Sequence, residues 1–386
     1  MEYRDVGKTG WRVSALSFGC MRFRDGESAT AAVHKAVESG VNYFDVAPAY
    51  CGRRSERWLG DAMSGLDRSN LIVTAKSSPG NGGAELGEYN PEAGFGIRTA
   101  DQARRQIERS MQLLGVDHLD MYQFWALHSE DVFREGIRKG GFLDGVLKAR
   151  EEGLFDYIGM TTHSGSDEII RFLRESPYEF DMVTLPFHLM NAGRTEAIAY
   201  CAERGIGVVA MNPLAGGRLG HPSPVLRRLA SDCGFGSLVE PALRFVAHTP
   251  GVTTALNGIT TAEHAAEGAG GVSKGPLPEG SSEALRERLD ELLSTVNAKH
   301  LCTACGYCGQ CPMGILIPNA LEAGTNLRIP SMAADAAEVV RKQLALAESG
   351  WNPSECSACG QCEEKCPNKL PVAELMKKAA EVWPTP

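Results

Sequence analysis

The sequence predicts an α/β fold, a (β/α)₈ barrel of the TIM type followed by a small, mainly α-helical domain. Short apolar or β-branched runs alternate with helical stretches through residues 14–258, and eight strand–helix units in about 250 residues is the size of such a barrel. The second observation is a cysteine-rich stretch that begins near residue 301. The eight predicted strands are residues 14–21, 41–47, 71–77, 119–125, 157–162, 182–188, 206–212 and 252–258.

Helices are predicted between these strands, for example over residues 30–39, 101–114 and 195–204. Asp101 and Thr195 are of the residue types that favour helix N-caps, and a glycine follows each of the three stretches. The same alternation also fits an open, doubly wound sheet. No G-x-G-x-x-G motif follows the first strand, which favours the closed barrel.

The boundary between the two domains is predicted between residues 298 and 299. A stretch rich in glycine, serine and proline, residues 268–282, follows the last strand, and one more helix is predicted over residues 283–297. The barrel domain is therefore assigned residues 1–298 and the C-terminal domain residues 299–386. Within the second domain, residues 332–347 have a helical pattern.

Charge and composition argue against several classes of protein. The net charge is −9 and no basic stripe is present, so we expect no nucleic-acid partner. The N-terminus lacks the basic and apolar regions of a signal peptide, and no apolar run is long enough to span a bilayer. We therefore expect a cytoplasmic protein without a membrane partner.

Eight of the 12 cysteines lie in two short runs. The second run, residues 356–367, has the spacing C-x₂-C-x₂-C-x₃-C-P of bacterial ferredoxins, and the first, residues 302–312, differs in having a last gap of two residues. Zinc sites usually use two C-x₂-C pairs per ion, and runs of four cysteines that end in Cys-Pro fit zinc poorly. The two runs predict a ferredoxin-like domain with two 4Fe–4S clusters.

Three cysteines of each run are spaced to bind one cluster, and the fourth, which precedes proline, binds the other cluster in two-cluster ferredoxins. A disulfide framework is not expected, because such frameworks belong to small secreted domains. The predicted ligands of the first cluster are Cys302, Cys305, Cys308 and Cys366. The predicted ligands of the second cluster are Cys356, Cys359, Cys362 and Cys311.

Five motifs resemble those of the aldo-keto reductases, and they occur in the family's order at the ends of predicted strands. Residues 44–50 (FDVAPAY) resemble the end of the family's second strand, and residues 55–60 (SERWLG) its S-E-x-x-L-G motif. Residues 73–76 (VTAK) resemble its lysine motif, residues 157–161 (YIGMT) its I-G-x-S motif, and residues 212–219 (NPLAGGRL) the loop after strand seven. With the fused cysteine runs, the chain resembles an iron–sulfur branch of this family.

The resemblance implies a catalytic group at the carboxyl ends of the strands, where barrel enzymes have their active sites. Tyr50 would be the general acid for a carbonyl substrate, the Lys76 ammonium would lower the pKa of Tyr50, and Asp45 would pair with Lys76. Trp125 stands where the family has a histidine, and its side chain has one N–H donor and no titratable proton. His128 is expected either to compensate for that histidine or to be an ordinary loop residue.

The resemblance also implies NAD(P)H as a cofactor, and the chain departs from the family at this site. Residues 258–268, after strand eight, contain no lysine or arginine for a 2′-phosphate, and Gly268 replaces an asparagine. A helix N-terminus with threonine hydroxyls is still able to bind a phosphate. The candidate nicotinamide-binding residues are Thr161, Pro213, Leu214, Gly216, Gly258, Thr260 and Glu267.

Three histidines, His128, His163 and His188, follow the fourth, fifth and sixth strands. As a cluster they are candidates for acid–base groups or metal ligands, and singly each is more often a hydrogen-bonded loop residue. Either interpretation places them at the mouth of the barrel.

Three functions stay open at this point. In one, single electrons from the clusters, supplied by ferredoxin or another donor, reduce or oxidise a small carbonyl or hydroxyl substrate in the barrel. In another, NAD(P)H reduces the carbonyl and the clusters relay electrons, which requires an intermediary between hydride and single electrons. In the third, the barrel is catalytically silent and the chain is an electron-transfer subunit. The motifs around Asp45, Tyr50 and Lys76 favour an oxidoreductase.

Overall fold

A computed structural model of the protein contains a closed barrel of eight parallel strands, as predicted. The structure describes residues 1–82, 85–294, 302, 308, 311–328, 352–366 and 370–383. The strands follow one another around the barrel in chain order, and the last pairs with the first through Ala255 and Leu16. The barrel strands are β3 (Leu16–Gly19), β4 (Tyr43–Asp45), β5 (Ile72–Ser77), β6 (Leu119–Phe124), β7 (Phe155–Thr161), β8 (Met182–Pro186), β9 (Gly207–Met211) and β10 (Thr254–Gly258).

An antiparallel hairpin, not predicted from the sequence, precedes the barrel. Its strands are β1 (Tyr3–Asp5) and β2 (Arg12–Ser14). Val6 and Val13 belong to one buried cluster with Tyr43 and Met182, the first residues of β4 and β8. The hairpin therefore closes the amino ends of the strands, and the opposite ends are those at which barrel enzymes have their active sites.

Helices follow the barrel strands and also build the C-terminal part of the chain. Neighbouring helices pack in pairs along the barrel, Gly26–Glu38 against Ser55–Met63 and Ala100–Leu114 against Phe142–Glu151. Within the described residues, no helix is both long enough and apolar enough to cross a membrane. The helices are α1 (Gly26–Glu38), α2 (Ser55–Met63), α3 (Ala100–Leu114), α4 (Glu130–Gly136), α5 (Phe142–Glu151), α6 (Ser166–Glu175), α7 (Thr195–Glu203), α8 (Pro224–Asp232), α9 (Val239–Ala247), α10 (Ala262–Val272), α11 (Ser281–Ser294), α12 (Ile317–Arg328), α13 (Gln361–Lys365) and α14 (Val372–Val382), with short 3₁₀ helices at Tyr50–Gly52, Ala215–Gly220 and Pro353–Glu355.

Two predicted helix caps are wrong. α3 begins after Thr99, whose side chain accepts a hydrogen bond from Gln102 N at 3.2 Å, while the Gln102 side chain accepts from Thr99 N at 3.2 Å. This reciprocal capping box satisfies two N–H groups and leaves Asp101 in the first turn. α7 begins after Arg194, and Thr195 is its first helical residue. The glycines predicted after the three helices are confirmed in the left-handed region of backbone conformation.

The chain divides into two compact units. Residues 1–213 and 243–277 form one unit, which contains all eight barrel strands, and residues 214–242 together with 278–386 form the other. The domain boundary predicted between residues 298 and 299 falls outside the described residues and stays a prediction. The helical pattern at residues 332–347 also lies outside them.

The second unit has a small apolar core around Cys366. This cysteine is 6% exposed and is buried with Ile317, Met376 and other apolar side chains. α12 packs against α14, and Gly324 permits their close approach, because a Cβ at this position would lie 2.5 Å from the Ala379 Cβ. The described part of the C-terminal region is mainly helical, as predicted.

Candidate functional site

A buried ion pair joins the ends of two neighbouring barrel strands. Asp45 is the last residue of β4, and Lys76 lies near the end of β5. The Lys76 ammonium donates to the Asp45 carboxylate, and each side chain is 2% exposed. Away from water such an attraction is strong, and loss of one partner leaves the other as an isolated buried charge. The pairing expected between these two residues is therefore present in the structure.

The Asp45 carboxylate is held by two further side chains that were not singled out from the sequence. Gln123 Nε2 donates to Asp45 Oδ2 at 2.8 Å, and Thr74 Oγ1 donates to the same oxygen at 3.2 Å. Gln123 Oε1 accepts in turn from Thr184 Oγ1 at 3.0 Å. These hydrogen bonds fix the orientation of the carboxylate. The available signal was a polar side chain within a predicted strand, Gln123 in residues 119–125 and Thr74 in residues 71–77.

Tyr50 lies on a short 3₁₀ turn after β4, with its ring centre 5.0 Å from the Lys76 ammonium. The turn is strained, because Cys51 and Arg53 have positive φ angles of 51° and 68°. Burial, followed by the Asp45 carboxylate, raises the pKa of Tyr50 well above its ordinary value. This direction is opposite to the lowering expected from Lys76, because burial and the Asp45 carboxylate both disfavour the negatively charged phenolate. The protonated phenol, the form that a proton donor needs, is thereby favoured.

The Trp125 ring lies beside Tyr50, edge-on, with 5.6 Å between the ring centres. Phe95, which comes from the long loop between β5 and α3, stacks on the Trp125 ring with 4.7 Å between the ring centres. The Trp125 backbone N–H donates to Ser77 O at 2.8 Å, which extends the pairing of β6 with β5. Trp125, which follows β6 at the position where the family has a histidine, thus lies next to Tyr50. Phe95 adds an aromatic wall that local sequence motifs did not indicate.

The three histidines after the fourth to sixth strands surround a buried arginine. His163 N donates to His128 Nδ1 at 3.0 Å, and their rings pack edge-on. Arg194 donates to the carbonyl oxygens of His163 at 2.6 Å and of Ser164 at 2.8 Å. Burial lowers the pKa of His128 to about 3 and that of His188 to about 4, and the Arg194 charge acts in the same direction.

This arrangement does not support the metal-binding option for the histidines. Among the described residues, no group of three or more histidine, cysteine, aspartate or glutamate side chains is placed to hold a single metal ion. Imidazoles with pKa values of about 3 and 4 also exchange few protons near pH 7. The role of His128 as a substitute acid–base group is therefore not favoured, and the loop interpretation is.

The candidate nicotinamide-binding residues have unequal surroundings. The Thr161 hydroxyl accepts from Ala126 N at 2.9 Å, so part of its hydrogen-bonding capacity is used by the barrel itself. Gly258 ends β10, and a Cβ at this position would lie 3.0 Å from the Arg22 side chain. Arg22 comes from the loop after β3 and brings a cation to the end of β10, the eighth strand of the barrel. Because it is distant in sequence from that strand, motif reading did not find it.

The remaining nicotinamide candidates stay predictions. Pro213 is buried after β9, Thr260 is half-buried before α10, and Glu267 is exposed on α10. Leu214 and Gly216 belong to the second compact unit, in the segment of residues 214–242. None of these five positions has a contact that decides between nicotinamide binding and a purely structural role.

A cavity lined by cysteines lies in the second unit. It encloses about 450 Å³, including space open to solvent, and Cys308 and Gly360 form part of its wall. Gly360 has a φ of 77°, a conformation that lets the second cysteine run turn around the cavity. Thiol groups on an otherwise apolar wall fit a 4Fe–4S cluster. The wall also includes all four predicted ligands of the second cluster, Cys311, Cys356, Cys359 and Cys362.

The described ligands of the first cluster gather around the core of the same unit. Cys302 and Cys308 pack against the apolar cluster in which Cys366 is buried. Leu370 N lies 3.5 Å from Cys366 Sγ and donates to it, the type of N–H···S hydrogen bond that supports cluster ligands. The fourth predicted ligand, Cys305, lies outside the described residues. The three that are described, Cys302, Cys308 and Cys366, thus lie at the core of the second unit, and their assignment to a first cluster stays a prediction.

Comparison with known proteins gives matches in both parts of the chain. Residues 15–290 match the aldo/keto reductase family, and residues 301–370 match a 4Fe–4S dicluster domain. The chain is 28% identical over 242 residues to L-galactose dehydrogenase of Arabidopsis thaliana, a match that covers 58% of this chain and 69% of that protein. It is 26% identical over 240 residues to D-threo-aldose 1-dehydrogenase of a Pseudomonas species, covering 56% of this chain and 70% of that protein.

Solved structures with the same fold are also found. An aldo-keto reductase from Bacillus halodurans in its holo form superposes with a TM-score of 0.62 at 22% identity, covering 75% of this chain and 96% of that chain. The apo form of that enzyme superposes with a TM-score of 0.58 at 21% identity. At these identities the likeness concerns the fold alone. Because the family match spans residues 15–290, most of the chain, this protein belongs to the aldo/keto reductase family and carries a 4Fe–4S dicluster domain at its C-terminus.

Proposed function

We propose that the chain is an iron–sulfur oxidoreductase that interconverts a carbonyl and a hydroxyl group on a small organic substrate in its barrel, with electrons passing through two 4Fe–4S clusters. The observation that carries the proposal is the presence in one chain of the Asp45, Tyr50 and Lys76 group and a cysteine-lined cavity. The matches to the aldo/keto reductase family and to a dicluster domain support the two halves of the proposal.

The acid–base half of the reaction is assigned to Tyr50. A phenol whose pKa lies at or above its ordinary value is protonated at neutral pH, so Tyr50 carries the proton that a carbonyl oxygen would accept. The Lys76 ammonium, held by Asp45, would stabilise the phenolate that remains. Trp125 would contribute an N–H donor or an aromatic surface for the substrate, and it exchanges no proton.

Two clusters match the electron count of this reaction. Reduction of a carbonyl to a hydroxyl consumes two electrons and two protons: each bound 4Fe–4S cluster would supply one electron, Tyr50 the proton that ends on oxygen, and solvent water the proton that ends on carbon. The cysteines of the two runs would hold the clusters. Ferredoxin or another one-electron donor would be the partner that restores the electrons.

The test is an anaerobic titration of the iron-reconstituted protein, followed by the visible absorbance of the clusters. We expect NADH and NADPH to leave the absorbance unchanged and dithionite to bleach it fully. Substrate turnover with reduced ferredoxin should fall by roughly 10²–10⁴-fold in Tyr50→Phe, the range for loss of a general acid. Tyr3→Phe is the matched control, since Tyr3 lies on the hairpin at the opposite end of the barrel.

A second candidate is an NAD(P)H-dependent carbonyl reductase that uses the clusters as an electron relay. The position of Arg22 beside Gly258 favours it, because a guanidinium there is able to bind a phosphate close to the candidate nicotinamide residues. Bound NAD(P)H would supply hydride. Bleaching of the clusters by NADH or NADPH would favour this candidate, and Arg22→Gln should then weaken NADPH more than NADH. A catalytically silent barrel would instead leave Tyr50→Phe as active as the unmodified chain.

A further inference from the structure

Arg218 connects the loop after β9 to the first cysteine run. It lies in the 3₁₀ helix Ala215–Gly220, within the second compact unit, and 15% of its side chain is exposed. Its Nε donates to the Cys302 carbonyl oxygen at 3.0 Å. Its Nη1 lies 3.3 Å from Glu322 Oε1 on α12. One guanidinium thus holds the backbone of the first predicted cluster ligand and pairs with a carboxylate.

The two cysteine runs differ in the charges around them. Arg218 is always protonated and mostly buried, so a fixed positive charge lies beside Cys302. The second run is flanked by carboxylates at positions 355, 363 and 364, and the lysine at position 365 precedes the cysteine assigned to the first cluster. Glu363 Oε1 accepts from Ala373 N at 2.7 Å, which holds this carboxylate next to the second run.

This difference in charge affects how readily each cluster accepts an electron. Reduction adds a negative charge to a cluster that its thiolate ligands already make anionic, and hydrogen bonds and nearby charges set the potential. A fixed cation stabilises the added charge, whereas carboxylates oppose it. Because the Arg218 side chain is mostly out of water, its effect is less screened than that of a surface charge.

We propose that Arg218 is a positioning residue that orients Cys302 and raises the reduction potential of the first cluster above that of the second. The inference rests on the proposed function, since it requires both clusters to bind. Cys359 of the second run is exposed, so an external one-electron donor is able to approach the second cluster. Electrons that enter there would pass to the first cluster, which is the easier one to reduce.

The test is an anaerobic redox titration of the reconstituted full chain with dithionite, monitored by electron paramagnetic resonance, which resolves the midpoint potential of each cluster. We expect two midpoint potentials. Arg218→Gln should shift the higher potential downwards and leave the lower one in place. Glu322→Gln removes the opposing charge and should shift the higher potential upwards. Arg218→Lys keeps the charge and should retain most of the potential, but it should lose iron faster to a chelator because the Nε contact to Cys302 is gone.

Arg288→Gln is the matched control, because Arg288 is 58% exposed on α11 and pairs with Glu291 one turn away. This variant should leave both potentials unchanged. If Glu322→Gln and Arg218→Gln shift neither potential, or shift the higher one in the same direction, the proposal is overturned while the proposed function stands. If Arg218→Gln does not retain its cluster, Glu322→Gln is the deciding variant. An upward shift of the higher potential supports the proposal, and a downward shift or none overturns it. A reconstituted chain that binds no 4Fe–4S cluster would overturn the proposed function and this inference together.

Discussion

The rings of Tyr50 and Trp125 meet edge to face, with an angle of 83° between their planes. Trp125 therefore stands next to the proposed proton donor, at the position where the resemblance to the family implies a histidine. An indole offers one N–H and no titratable proton, so Trp125 does not share the proton transfer that is proposed for Tyr50. Phe95, stacked on the indole, helps to hold the ring in this orientation.

Replacement of Trp125 by histidine should add a second titratable group to the site. We expect the pH profile of kcat/KM in Trp125→His to gain an inflection between about pH 5.5 and 7.5, the range of histidine pKa values in proteins. Trp125→Phe keeps an aromatic ring without a titratable proton and should show no such inflection. Identical profiles for the two variants would argue against the alignment of β6 that places Trp125 at the position of the family's histidine.

The Asp45–Lys76 pair should be sensitive to loss of either charge. Asp45→Asn leaves the Lys76 ammonium as a buried cation without a counter-ion, so we expect a loss of about 3–5 kcal/mol in the free energy of unfolding. Denaturant unfolding of the barrel measures this value. Asp101→Asn, on an exposed helix turn, is the control and should cost less than about 1 kcal/mol. A small loss in Asp45→Asn would mean that Lys76 finds another partner or loses its proton.

Glu56 should make the protein less stable as the pH rises. Burial raises the pKa of this carboxyl from 4.5 to about 7. Between these values the folded chain keeps a proton that the unfolded chain has lost, so stability falls through this range. Glu56→Gln should therefore gain stability over the unmodified chain at pH 8, by roughly 3 kcal/mol at most, and much less at pH 5. Glu179→Gln, at an exposed ion pair with Lys8, is the control and should change the free energy of unfolding by less than about 1 kcal/mol.

His188 should act in the opposite direction. Burial and the Arg194 charge lower its pKa from 6.5 to about 4. Below pH 6.5 the unfolded chain takes up a proton that the folded chain does not, so stability falls as the pH falls towards 4. His188→Gln should reduce this acid destabilisation, measured as a flatter dependence of the unfolding midpoint on pH between 7 and 5. An unchanged slope would show that the pKa of His188 is the same in the folded and the unfolded protein.

The fourth cysteine of each run is assigned to the cluster of the other run, and this assignment should be visible in the iron content. Cys311→Ala removes a predicted ligand of the second cluster, and we expect it to lose about half of the bound iron together with the resonance signal of that cluster. Cys366→Ala should remove the signal of the first cluster instead. Cys233→Ala, at the end of α8 and outside both runs, is the control and should keep all of the iron. Loss of the same signal in Cys311→Ala and Cys366→Ala would contradict the assignment.

The barrel could be predicted from the sequence because each strand is a short, buried apolar run between turn-forming residues. Asp45 and Lys76 could also be predicted, because each lies near a strand end that a local sequence motif marks. Gln123 was not, because its contact with Asp45 depends on which side chains of neighbouring strands point into the barrel. Arg22 was missed because barrel closure, a long-range event, brings the loop after β3 to the end of β10.

The helix caps and the pKa of Tyr50 show where local reasoning failed. Asp101 is a good N-cap by residue type, but the Thr99 and Gln102 pair forms two reciprocal hydrogen bonds and begins the helix two residues earlier. For Tyr50, proximity to Lys76 predicted a lowered pKa, whereas burial and Asp45 raise it. Both errors arise because a single favourable contact was weighed without its competitors.

The composition of the second compact unit has a consequence for biosynthesis. Leu214–Ala242 forms a unit with residues 278–386, which are synthesised later. Arg218 is able to donate to the Cys302 carbonyl oxygen only after 84 further residues have been synthesised. During translation this segment leaves the exit tunnel without its packing partners, although it interrupts the sequence of the barrel. The unit is therefore completed late, since the predicted ligands of the second cluster are all present only after Cys362 has emerged, and those of the first cluster only after Cys366.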